Sequence, residues 1–79
     1  MGLYDSSDFL KNFGKNLMGI RKKKQLSFRK LAALCNIDHS DIAKMEKGEI
    51  NITILTLLEL SNGLEIHPKK LLDFEIKEL

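Results

Sequence analysis

Seventy-nine residues make one domain and exclude two. A single cysteine excludes an internal disulfide, and the lack of any run of about eighteen apolar residues excludes a membrane-spanning helix. The net charge of +2 hides an asymmetry: residues 1–48 hold ten Lys/Arg against five Asp/Glu, whereas residues 49–79 hold three against six, so one face is expected to meet an anionic partner and another to look away from it.

Apolar residues recur at helical spacing, and no repeat, linker or low-complexity tract interrupts them. The chain therefore reads as one all-α domain with its core over about residues 9–72 and a short tail, 73–79. A first helix is predicted over residues 7–23, capped by Ser7 or Asp8, with Phe9, Leu10, Phe13, Leu17 and Ile20 as one inward stripe. A second spans residues 28–35, with Ser27 as its N-cap and Leu31, Ala32 and Cys35 inward. Asn36 ends it in the left-handed conformation, Ile37 drops into the core, and Asp38 caps a third helix over residues 39–47. Ile42 and Met45 form that helix's inward stripe, and Gly48 stops it. Thr53 caps a fourth helix over residues 54–62, with Ile54, Leu57, Leu58 and Ser61 inward and Gly63 at its end. Pro68 opens a short fifth helix ending near Leu72. The tail fits helical spacing through Leu72, Ile76 and Leu79, and strand spacing through Leu72, Phe74 and Ile76.

No catalytic constellation is visible. His39 and His67 are far apart and lack metal-ligand spacing with Cys35, and there is no glycine-rich phosphate loop or nucleophile motif. The expectation is a non-enzyme with no metal, no cofactor and no small-molecule ligand. Cys35 reads as a small core residue. No signal-peptide layout opens the chain, and one unpaired cysteine suits a reducing compartment, so a cytoplasmic location is expected.

The stretch from Ser27 to Gly48 reads as two short helices joined by a tight turn. In that layout one helix crosses the sugar-phosphate backbone of DNA and the next enters the major groove. The first turn of the third helix would then carry His39, Ser40 and Asp41 to the groove floor, with Lys44 one turn on. Lys44 has the donors for guanine O6 and N7. Ser40 can donate or accept, His39 can donate to guanine or phosphate, and Asp41 can accept from cytosine N4. Ser27, Arg29 and Lys30 flank the start of the second helix, whose free amides favour anions. Lys47, Asn51 and Thr53 flank the loop after the third.

Taken in order, Ile20-Arg21, Leu26-Ser27, Leu31-Ala32, Ile37, Ile42, Met45-Glu46-Lys47-Gly48, Asn51, Leu57-Leu58, Leu64 and Leu71 resemble the helix-turn-helix family of the lambda and 434 repressors and Cro, the XRE type. Length and motif position also look like the controller proteins of restriction–modification systems, which bind DNA as dimers and regulate their own operon. The resemblance implies a compact five-helix lambda-repressor-like bundle that binds double-stranded DNA. It maps the base-contacting positions onto His39, Ser40 and Lys44, and implies an ion pair between Arg21 and Glu46 that ties the recognition helix to the scaffold. Phe28 falls where many relatives carry Gln in contact with the backbone; here it is placed with the phosphate-contacting residues, packing on sugars or on a partner protein.

A 79-residue copy covers few bases, so a homodimer reading an inverted repeat is expected. Leu55, Leu72, Phe74, Ile76 and Leu79 exceed what a small core needs and are assigned to its interface. The alternative is a protein-interaction module on the same fold, antitoxin-like, with weak or no specific DNA binding. An exposed Phe28 and the acids Asp38 and Asp41 would favour it.

Overall fold

The computed structural model describes residues 2–79. Its elements are α1 (Ser6–Lys23), α2 (Phe28–Cys35), α3 (His39–Glu46), α4 (Ile54–Leu64) and a 3-10 turn at Pro68–Leu72. The class is all-α, but the count is four α-helices plus that turn rather than five helices. Five residues close one turn and a half of the tighter helix, too few for a sustained i to i−4 ladder.

The first helix starts one residue before expectation and takes a different cap. The Asp5 carboxylate, on extended backbone, accepts the Asp8 N–H at 2.9 Å, leaving Ser7 and Asp8 inside the helix. Phe13, Leu17 and Arg21 are buried, with Gly14 among them, while Phe9, Leu10 and Ile20 are half-buried towards its ends. The second and third helices follow the predicted caps: the Ser27 hydroxyl accepts the Lys30 N–H, and Asn36 takes φ 56°. Lys47 is the C-cap of α3 rather than its last helical residue.

Only the fold of the fourth helix departs in register. It runs past Gly63 to Leu64 and ends at Glu65, which takes φ 56°. Leu57, Leu60, Ser61 and Leu64 face inward, whereas Ile54 and Leu58 are 77% and 44% exposed. Apolar residues occur almost all round this helix, so their spacing admits several stripes; contact with α2 selects one. Gly63 is where the two helices cross, and a Cβ there would overlap the Cys35 sulfur. Residues 73–79 adopt neither regular form. Phe74 stacks on Phe9 at 5.5 Å with the rings 58° apart, and the Leu79 N–H reaches the Leu3 carbonyl at 2.7 Å.

Every element contributes to one core: Leu17, Leu31, Ile42, Leu60, Leu64 and Leu71 are almost fully enclosed. Helix α3 lies against both α1 and α2. The approach of α1 is close enough that a Cβ on Gly14 would stand 2.5 Å from the Met45 carbonyl oxygen. Gly48, at φ 72°, brings the chain out of α3 beside the Lys11 backbone. Alanine at Gly14 is therefore expected to cost about 2–3 kcal/mol despite its better helix propensity, because a backbone carbonyl cannot yield as a side chain can. Gly19 has nothing within 4 Å of its Cβ position, so Gly19→Ala is expected to stabilise by about 0.5–1 kcal/mol. Urea denaturation of the two variants checks both signs; equal shifts would contradict the close approach.

Candidate nucleic-acid interface

Three kinds of contact hold α3. Ile42, Met45 and Glu46 are buried on its inner side. At its start, one Asp38 carboxylate oxygen accepts both the Ser40 N–H and the Ser40 hydroxyl at 2.9 Å. At its far end, Gly48 and the α1 backbone fix the exit. What this leaves in solvent is the outer face: His39, Ser40 and Lys44 are exposed, and Asp41 is half-buried. Of the four residues singled out for base contact, three are therefore open to solvent on a short, capped rod, and Asp41 is set back.

The Ser40 contact alters what that residue can offer. Its proton is engaged by Asp38, so its free capacity is as an acceptor. The two bonds from Ser40, backbone first, hold the Asp38 carboxyl below the usual aspartate range; His39 and Lys44 add a smaller pull in the same direction. A lowered folded-state pKa means that the charged cap favours the native chain above the unfolded value of about 3.9, and that this contribution is lost as pH falls through the folded value. Melting temperature is expected to drop on acidification below about pH 4, and Asp38→Asn, which retains a cap but cannot titrate, is expected to flatten that limb. An unchanged acid limb in the variant would remove Asp38 from the account.

The backbone-contacting candidates divide. Ser27, Arg29 and Lys30 are exposed together at the start of α2, and Lys47, Asn51 and Thr53 are exposed after α3. Thr53 also caps α4 by accepting the Thr56 N–H at 3.1 Å. Phe28 does not join them: it is half-buried, packed against the core, with the Arg21 guanidinium carbon 4.2 Å from its ring centroid. An exposed Phe28 is thus not available to favour the protein-docking alternative.

Arg21 and Glu46 meet in a buried fork. Arg21 Nε donates to one Glu46 oxygen at 2.6 Å and Nη2 to the other at 3.0 Å, with side-chain exposures of 9% and 1%. The hydrogen bond to Glu46 drives the Arg21 pKa up against the opposing effect of burial. Nη1 donates to the Leu26 carbonyl at 2.9 Å. This third bond, and the ring under the guanidinium, carry no sequence signature: residues 21, 26 and 28 share no helical or strand period across the break at Gln25.

Of the residues assigned to a second copy, Leu55 and Leu79 are 64% and 79% exposed, and Leu72 and Ile76 are exposed to a lesser degree. Phe74 is half-buried against Phe9 instead. Leu72 adjoins an apolar groove of about 250 Å³ whose walls include Phe9, Leu10, Ile52, Ile54 and Leu57. Among the described residues, no helix is long and apolar enough to cross a membrane.

Residues 17–71 match the helix-turn-helix family. The chain belongs to that family, in its XRE type. It is 35% identical over 63 residues to the control protein C.BamHI of Bacillus amyloliquefaciens, covering 78% of each chain. Its fold is similar to the crystal structure of the restriction-modification controller protein C.AhdI from Aeromonas hydrophila, with a TM-score of 0.77 and 35% identity over 78% of this chain and 94% of the other. An HTH_3 family transcriptional regulator from Vibrio cholerae superimposes with a TM-score of 0.81 at 27% identity, over 85% of this chain and 38% of that one. The family match spans α2, α3 and the whole of α4, and so contains Arg21, Glu46 and every residue assigned to DNA contact.

Proposed function

We propose that this chain is a cytoplasmic, sequence-specific regulator of transcription that binds double-stranded DNA as a homodimer on an inverted repeat. One observation carries the reading: His39, Ser40 and Lys44 are exposed on the outer side of a helix whose inner side is buried. Donors for phosphate stand on either side of it, at Ser27, Arg29 and Lys30, and at Lys47, Asn51 and Thr53. His39, Ser40, Asp41 and Lys44 read base edges, while the flanking groups set register on the backbone. The similarity to a control protein and to a restriction–modification controller supports a controller-type role. A two-fold pair would set its recognition helices about 34–36 Å apart on one face of the duplex. The apolar surface around Leu55 and Leu72, in the acidic part of the chain, supplies the pairing face.

Selection of binding sites from random duplexes tests this. An enriched inverted repeat, together with a dimeric mass by light scattering at tens of micromolar, is the expected result. A monomeric mass overturns the dimer. No enrichment at low salt overturns the DNA reading and leaves the protein-docking alternative, for which Asp38 and Asp41 on the outer face would be the recognition groups.

A further inference from the structure

The Arg21 guanidinium is fixed in three directions by three parts of the chain. Its in-plane bonds go to Glu46 on α3 and to the Leu26 carbonyl just before α2. Its central carbon lies over the ring of Phe28, in the first turn of α2, 4.2 Å from the ring centroid. Hydrogen bonds restrain a planar fork within its plane but leave tilting out of the plane soft; a ring beneath it removes that freedom. One side chain of α1 thus joins α2 to α3, the two helices whose mutual angle decides whether phosphates and bases are reached together.

We propose that Phe28 is a positioning residue for sequence discrimination: its ring face holds Arg21 square to Glu46 and so sets the angle between α2 and α3. This rests on the DNA-binding reading above. Phe28 has no hydrogen-bonding group, so its influence on base choice runs through Arg21 and not through a polar contact of its own. Contacts to phosphate carry non-specific binding, and contacts to base edges carry specificity. A loosened angle lets either set form but not both, so discrimination falls while non-specific affinity is kept.

The test compares Phe28→Leu, which stays apolar but loses the π face, with Phe28→Tyr, which keeps the face. Two quantities are read. One is the ratio of affinities for a selected duplex and a scrambled duplex. The other, without DNA, is the upfield ring-current shift of the Arg21 side-chain protons by NMR. Phe28→Leu is expected to lose about three- to tenfold in the ratio, with little change on the scrambled duplex, and to lose the ring-current shift. Phe28→Tyr is expected to keep both. Wild-type discrimination in Phe28→Leu, an equal fall in both variants, or no ring-current shift in the wild-type chain would each overturn the proposal. Should no duplex be selected at all, the discrimination role falls with the DNA reading; an intact ring-current shift would then show that the failure lies in that reading and not in the Arg21–Phe28 contact.

Discussion

Glu46→Ala is expected to destabilise the fold by about 3–5 kcal/mol, the cost of leaving one member of a buried pair without its partner. The Glu46 side chain is 1% exposed and both of its oxygens are engaged by Arg21, so the change takes two acceptors from a buried guanidinium. The arginine left behind cannot shed its charge, because a guanidinium does not deprotonate in a protein. Arg21→Met leaves the Glu46 carboxylate without its partner and is expected to cost a similar amount. A domain of this size has only about 4–12 kcal/mol in hand, so either variant will show a large shift in urea midpoint. The double variant Arg21→Met/Glu46→Leu is expected to recover most of the loss, since well-packed apolar replacements of buried pairs are often neutral. A single-variant loss under about 1 kcal/mol would place the pair among surface salt bridges and contradict its burial.

Binding to DNA is expected to weaken steeply with salt. Six to eight phosphates contacted by a dimer give a slope of log affinity against log salt of about −5 to −7, or roughly a thousandfold or more between 50 and 200 mM. Lys30→Ala is expected to lower affinity for all sequences alike and to reduce that slope by about one per protomer, because Lys30 is exposed with Ser27 and Arg29 at the start of α2, the proposed site of phosphate contact. Lys44→Ala is expected to change which sequences are selected, with discrimination at its base pair falling by about 1–3 kcal/mol. Lys44 is exposed one turn after Ser40 and belongs to the outer face of α3. Fluorescence anisotropy across a salt series, on selected and scrambled duplexes, separates the two. If both variants shift every sequence by one factor, Lys44 contacts phosphate and not a base.

How far the fold could be read in advance differs by segment. The caps at Ser27, Asp38 and Thr53 and the left-handed Asn36 were legible because each acts within three residues of itself. The first helix begins one residue before expectation because Asp5, and not Ser7 or Asp8, caps it: several polar residues crowd this end and local pattern does not choose among them. In α4 the choice among apolar stripes, and the continuation through Gly63, depended on the neighbouring α2, which no local pattern announces. The tail was undecided between two periods and takes neither, being held by Phe9 and Leu3, more than sixty residues away in sequence.

The amino-acid order alone determined where the two short helices begin and which face of the second carries His39, Ser40 and Lys44, since capping and helical periodicity are local and α3 has just one apolar stripe. Tertiary contact decided how those helices are locked: the close passage of Gly14, the carbonyl of Leu26 and the ring of Phe28 converge from segments with no common period. Burial also turned Phe28 from a candidate surface contact into a support for Arg21, because the cation sits over a ring that the core already holds in place.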